Sequence, residues 1–354
     1  MKRKLSLILV VVLMLSLVAC GSEETKTQGE NSYKIAVLYS GYLGDQSFND
    51  SAHQGLQKIL AEYDNVEIRE FETDVASEWE PNAIAAAEAG YNLILGVSYV
   101  YSDVLKSVAP QYPESKFAVI DGVVTDDNGN PMDNVVSAIF AQNEGSFLAG
   151  AAAAMFTTRT EIDGVNPDKK IGWLGGSDIP VLHDFLGGYK QGAAYIDPEV
   201  EVVSVFVGTF SDPVAGKEQA NALYDQNIDI IMNVASGTGN GLLEAAEERG
   251  LYAIGVDIDQ DGLKPGHILT SMLKRVDVTT YEIISSVIND TFEGGETLYM
   301  DINNGGVGLT DMSVMKNALG DQFPEDILTR IQEIEELVKN GEIVVVNYEG
   351  FGRN

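Results

Sequence analysis

Residues 228–256 read IDIIMNVASGTGNGLLEAAEERGLYAIGV, and this stretch decides the fold. Its first run, 228–234, is almost continuously apolar and short, which suits a strand covered on both faces. Glycines punctuate 237–241 (GTGNG). Residues 242–249 then show helical spacing, and Gly250 stands where helices commonly end. Residues 252–256 (YAIGV) form a second strand-like run. Two strands separated by a helix cannot make a hairpin, so they pair in parallel through a right-handed crossover.

The same alternation extends in both directions. Upstream lie strands at 170–174 and 201–207 and helices at 143–157, 182–196 and 216–225, and downstream lies a strand at 268–273. An earlier series has strands at 33–39 (YKIAVLY), 66–70, 93–97, 116–120 (KFAVI) and 135–140. Its helices fall at 47–63, 79–89 and 101–112, the last stopped by Pro113. Ser77, with Glu80 three residues on, suits a capping box. Two series of βα units predict an α/β protein with two doubly wound parallel-sheet lobes. The first lobe is expected over 33–141, with a segment at about 258–300 returning to it. The second is expected over 142–257, completed by 301–354.

The beginning of the chain predicts the compartment. Lys2, Arg3 and Lys4 precede an apolar run, 5–18, that is short for a membrane span. The run ends in Leu17-Val18-Ala19-Cys20, the pattern of a lipobox. Residues 1–19 are therefore expected to be a signal peptide, and Cys20, the one cysteine of the chain, a lipidated (palmitate-bearing) residue. Residues 20–32 are polar and expected to form a flexible tether. After Tyr33 no apolar run is long enough to span a bilayer, so a lipid-anchored protein on the extracytoplasmic face of the cell membrane is expected. The formal net charge is −32, and removing the leader's three basic residues lowers it to −35. Such a surface repels nucleic acid, so no nucleic-acid partner is expected.

Chemistry-like motifs are incomplete. Residues 257–262 (DIDQDG) begin as a calcium loop does, but Ile268 stands where a bidentate Glu is needed. Asp126, Asn128 and Asn130 are followed by Pro131 at the glycine position. The 237–241 run lacks the third glycine of a dinucleotide fingerprint and the Lys-Ser/Thr of a P-loop. It reads as a tight turn, or as a helix N-terminus whose N–H groups face a ligand oxygen. His53, His183 and His267 have no metal-ligand spacing, and no Gly-x-Ser-x-Gly elbow occurs. A non-enzymatic binding protein without cofactor or metal is the expectation.

In open α/β sheets, ligands sit outside the carboxyl ends of the strands. Phe48 and Asn49 follow the first strand, Asp121 the fourth, Asp257 the strand ending at Val256, and Lys274 closes the next. Phe185 and Phe210 hold comparable places in the second lobe. At these positions the sequence resembles the basic membrane protein (BMP) family of nucleoside-binding lipoproteins. The carrying residues are 44–49 (GDQSFN), 117–122 (FAVIDG), 147–151 (FLAGA), 175–180 (GGSDIP), 237–241 (GTGNG), 254–260 (IGVDIDQ) and 270–277 (TSMLKRVD).

The resemblance implies a type I periplasmic binding protein fold, its lobes joined by a three-strand hinge. It implies a nucleoside, purine by preference, held in the interlobe cleft and passed to ABC permease and ATPase subunits. Phe48 is implied as the first-lobe stacking ring and Asn49 and Asp121 as polar contacts to the base. Asp257 is implied to accept from the ribose hydroxyls, Lys274 to reach a ribose oxygen, and Gly237 to bring its backbone near the sugar. Phe185 or Phe210 is the second-lobe ring, and spacing does not choose between them. Tyr99 and Tyr101 add aromatic surface after the third strand. Tyr39 departs from the pattern, standing where the family has an Asp in a Thr-Asp-x-Gly stretch; a phenol brings no charge at neutral pH, which bears on the ligand. A monomer is expected. The rival readings are the same fold with a sugar-like ligand, a sensing lipoprotein without transport, and a nucleoside hydrolase or phosphorylase.

Overall fold

The computed structural model describes residues 32–349. The expected signal peptide, Cys20 and most of the tether lie outside them. From Tyr33 onward the described residues form one compact unit.

Two six-stranded sheets organise it. The first takes β1 (Tyr33–Tyr39), β2 (Val66–Glu72), β3 (Leu93–Val97), β4 (Lys116–Ile120), β5 (Val135–Phe140) and β11 (Thr297–Met300), in the order β11-β5-β4-β3-β1-β2. All its pairings are parallel. The second takes β6 (Lys170–Gly175), β7 (Glu201–Phe206), β8 (Ile230–Val234), β9 (Tyr252–Asp257), β10 (Ile268–Lys274) and β12 (Val307–Leu309), in the order β12-β10-β9-β8-β6-β7. Only β12 runs antiparallel, against β10. Each sheet thus carries the 2-1-3-4-5 doubly wound order, whose direction of winding reverses beside its first strand. The central strands β1, β3 and β8 are buried nearly throughout, as their unbroken apolar runs require.

Helices cover the sheets. The first lobe has α1 (Phe48–Glu62), α2 (Ala76–Glu88) and α3 (Tyr101–Val108). The second has α4 (Gln142–Phe156), α5 (Pro180–Ile196), α6 (Pro213–Tyr224) and α7 (Ser236–Arg249). Then come α8 (Val276–Ile288), α9 (Ser313–Leu319) and α10 (Glu325–Lys339). Almost every residue of α4 is buried, and it lies backbone to backbone on α5: a Cβ at Gly150 would stand 2.0 Å from the Tyr189 carbonyl oxygen. That approach explains the small residues of the 147–151 motif.

The chain crosses between lobes three times, at Ala141, at Arg275 and through 301–306. Backbone bonds stitch the crossings to their neighbours, Ala141 N–H to the Met300 carbonyl (2.9 Å) and Arg275 N–H to that of Gly306 (2.9 Å).

Three details depart from the sequence expectations. The return to the first lobe begins at Val276 and not near 258, because β10 stays paired with β9 in the second sheet. Beyond Arg275, α8 packs on α1, where the Lys58 ammonium meets Asp277 at 2.6 Å. Ser77 caps nothing, since α2 already starts at Ala76 and Thr73 instead bonds Glu78 (2.7 Å) and accepts from the Val75 N–H (3.1 Å). Helix α7 starts at Ser236 and not near Leu242, so of the two readings of 237–241 the helix N-terminus holds and the tight turn before it does not. Gly250 does end that helix in left-handed conformation (φ 64°).

Candidate functional site

The carboxyl ends of both sheets face one another across a cavity of about 590 Å3. Phe48, Asn49 and Asp121 line it from the first lobe. Phe185, Phe210, Gly237, Asp257 and Lys274 line it from the second. Eight of the nine expected ligand residues therefore meet in one place.

Tyr39 is the exception. Its side chain is fully buried beneath the cleft floor and its hydroxyl donates to Glu70 (2.7 Å). Burial and the Glu70 carboxylate both raise its pKa. A residue at the end of β1 alternates with its neighbours in the faces it shows, and it is Ser40 and Gly41 that reach the cavity. Tyr101 is likewise buried, its hydroxyl on the Tyr39 carbonyl (2.9 Å), whereas Tyr99 lines the cavity.

The polar lining is aimed by unusual backbone. Ser98, Asp121, Ser236 and Asp257, which follow or close β3, β4, β8 and β9, all have positive φ (140°, 65°, 46° and 67°). Non-glycine residues reach that region at a cost of about 1–3 kcal/mol each, and Asn and Asp are among those that tolerate it better than most. The cost recurs at four strand ends around one cavity, a clustering typical of a binding site.

Lys274 is the pivot of the charges. It closes β10, is almost fully buried, and its Nζ lies 2.6 Å from Asp121 Oδ2 of the other lobe. The ammonium also stands 5.3, 5.0 and 5.2 Å from the ring centroids of Phe48, Phe140 and Phe185. Such cation–π contacts strengthen where water is excluded. Asp257 is buried, and burial pushes its pKa up to about 7, against the pull of Lys274 and a hydrogen bond from the Ser47 hydroxyl. Burial also raises Asp45, although its carboxylate accepts from the N–H groups of Ser47, Asn49 and Asp50.

Those three bonds make Asp45, and not Ser47, the side chain that caps α1. Asp45 thereby fixes the first turn that carries Phe48 and Asn49. Its reach past Ser47 to these backbone groups was not legible in the sequence. Asn240 was also unforeseen: it lines the cavity from α7 and donates to the Asp45 carbonyl across the cleft (3.2 Å). Gly237 lets α7 approach, since a Cβ there would lie 3.3 Å from the Phe210 carbonyl and 3.8 Å from Asp45 Cβ. Phe210 in turn rests on Gly176, where a Cβ would come within 2.2 Å of the ring.

The acidic run at 257–262 does not converge. Asp257 faces the cleft, while Asp261 accepts from Ser271 (2.6 Å) and Thr310 (2.7 Å). Among the described residues no group of three or more His, Cys, Asp or Glu side chains is placed to hold a metal ion.

The chain matches a family model described as Bmp, ABC transporter substrate-binding protein PnrA-like, over residues 32–347. It is 32% identical to basic membrane protein B of Borrelia garinii subsp. bavariensis, over 97% of this chain and 96% of that protein. It is 28% identical to the CD4+ T-cell-stimulating antigen of Listeria innocua, over 97% and 98% of the two chains. The solved structure of an ABC transporter system solute-binding protein from Aeropyrum pernix K1 superposes with a TM-score of 0.79 at 29% identity, covering 90% of this chain and 94% of that one. A solute-binding protein from Conexibacter woesei, at 22% identity and TM-score 0.67 over 90% and 100%, shares the fold.

Proposed function

The chain belongs to the Bmp family of PnrA-like ABC transporter substrate-binding proteins, and from that premise we propose that it captures a nucleoside, purine by preference, in the interlobe cleft. It acts as a lipid-anchored protein outside the cytoplasmic membrane, handing its ligand to a permease and ATPase without transforming it. One observation carries the ligand class. Aromatic rings from both lobes, Phe48 on one side and Phe185 and Phe210 on the other, line a single cavity together with the Asp121 and Asp257 carboxylates. A base offers two apolar faces and a hydrogen-bonding edge, and stacking contributes about 1–3 kcal/mol per base. The cavity's size falls in the roughly 300–1,000 Å3 range of small-molecule sites.

In this reading Phe48 and Phe210 stack on the base, Asn49 and Asp121 meet its edge, and Asp257 and Lys274 hold the sugar. Ligand that contacts both lobes stabilises the closed arrangement. The test is a thermal-shift screen against nucleosides, free bases and common sugars. A ligand confined to the folded protein adds about 2.7 kcal/mol at 100 times its dissociation constant. A shift with purine nucleosides, lost in Phe48→Ala and Asp257→Ala, supports the reading. A shift with sugars alone keeps the solute-binding role and overturns the nucleoside.

A further inference from the structure

Three consecutive first-lobe residues are each held by a different second-lobe side chain. Asn240 Nδ2, on α7, donates to the Asp45 carbonyl (3.2 Å). Gln260 Nε2, in the loop after β9, donates to the Gln46 carbonyl (2.7 Å). The Ser47 hydroxyl donates to Asp257, which ends β9. The three bonds are made by protein alone, directly before the helical turn that carries Phe48 and Asn49.

Gln260 differs from the other two because it lies outside the cavity's lining. It is fully buried, and its amide is fixed from both ends. Its Oε1 accepts from the Val256 N–H (3.0 Å) and from Asn233 Nδ2 (3.4 Å), and its backbone N–H donates to the Ser271 hydroxyl (3.0 Å). Turning the amide over would set its NH2 against an N–H and its oxygen against a carbonyl, so the assignment is fixed by its surroundings. Gln46 meets it from left-handed backbone (φ 54°). A side chain anchored this firmly in one lobe, with its only mobile donor spent on the other, is placed to locate that other lobe.

We propose that Gln260 is a positioning residue: with Asn240 and Asp257 it clasps Asp45–Ser47, so that the lobes come together and Phe48 takes its place whether or not a ligand is present. Each lobe-to-lobe bond is modest alone, but the three act on adjacent residues and make or break together as the cleft closes or opens. Closed molecules are then populated before any ligand arrives, and the cleft selects its ligand from a partly closed state. The inference does not depend on which solute binds.

The test is hydrogen exchange, read by mass spectrometry, on the full chain with no solute added. The amides of Ser47, Asn49 and Asp50 are held by Asp45 beneath the clasp, so the 42–52 segment is expected to exchange slowly in the wild type. Gln260→Glu keeps the acceptor facing Val256 and replaces the donor facing Gln46. It should speed exchange in 42–52 by about five- to tenfold, the scale of one lost hydrogen bond, while β9 and β10 stay protected. Asn240→Ala, on a separate element, should do the same. If Gln260→Glu loosens the whole second sheet, the Asn240→Ala result decides. Rapid exchange of 42–52 in the wild type overturns the proposal, as does unchanged exchange in both variants or loosening of β8–β10 in both. Because no nucleoside is present, these outcomes are separate from those of the ligand screen.

Discussion

Lys274 Nζ lies 2.6 Å from Asp121 Oδ2, although Lys274 closes a strand of the second sheet and Asp121 follows a strand of the first. Their side chains are 2% and 10% exposed, so each charge is largely cut off from bulk water. Removing one partner strands the other, which typically costs about 3–5 kcal/mol for a buried pair. Lys274→Met should therefore lower the unfolding free energy by roughly 3 kcal/mol, and Asp121→Leu in the same chain should restore part of it. Denaturant titration of the two single variants and the double variant measures the coupling. Strict additivity would show that the pair is not energetically linked.

The two second-lobe rings should separate by their burial. Phe185 is 3% exposed and belongs to the core, so Phe185→Ala should cost roughly 3 kcal/mol of stability as well as any binding. Phe210 is only partly buried, and Phe210→Ala should weaken nucleoside binding by about 1–3 kcal/mol with little change in melting temperature. Calorimetric binding and thermal unfolding on both variants check this. Full affinity in Phe210→Ala would transfer the stacking role to Phe185.

Gly176→Ala should resemble Phe210→Ala without touching the ligand. The added Cβ would come within 2.2 Å of the Phe210 ring, and strand-end backbone cannot yield that much. The ring must swing away, and affinity should fall about as far as when the ring is deleted. Wild-type affinity in this variant would mean that Phe210 is free to move and does not stack.

Asp257 gives the site a pH dependence with a defined sign. Its folded pKa is raised to about 7 from an ordinary value of 3.8. Between those values the folded protein holds a proton that the unfolded chain has lost, so Asp257's contribution to stability is present at low pH and is lost as pH rises through about 7. The difference in stability between wild type and Asp257→Asn should change over that window and be flat above it. If, as proposed, ligand hydroxyls donate to its ionised form, nucleoside affinity should rise as pH rises toward about 7, with proton release on binding. Titration calorimetry in two buffers of different ionisation enthalpy measures that proton. Uptake in place of release would remove Asp257 from the sugar site.

Tyr39→Phe should leave ligand preference unchanged, because the phenol bonds Glu70 beneath the floor and does not reach the cavity. A change of preferred solute in that variant would show a route from the floor to the ligand.

The layered fold was legible because strands covered on both faces leave continuous apolar runs, as in 228–234, and because Gly250 marks a helix end without ambiguity. The strand-end rule then selected Phe48, Asp121, Asp257 and Lys274, and the resemblance supplied their roles. What sequence reading missed depended on geometry between distant segments. The 268–274 strand reads the same whichever sheet it joins, and only its pairing with β9 places it. Glycines at 237–241 fit a turn or a helix N-terminus equally by local preference, and only their place against Phe210 and Asp45 decides for the helix. Tyr39 lies where one step of strand alternation decides between cleft and core. Asp45 and Gln260 act through backbone groups, which carry no sequence signature at all.

The left-handed strand ends at Ser98, Asp121, Ser236 and Asp257 also bear on how the pocket can be redesigned. At these positions a branched or bulky side chain meets its own backbone before it meets any solute. The accessible alphabet there shrinks toward Asp, Asn, Ser and Gly, so retuning must be written at Phe48, Tyr99, Phe185 and Phe210, where the backbone is ordinary and ring size and polarity can vary. A library built on those four positions, with the strand ends held fixed, should keep far more folded members than one that randomises the whole lining.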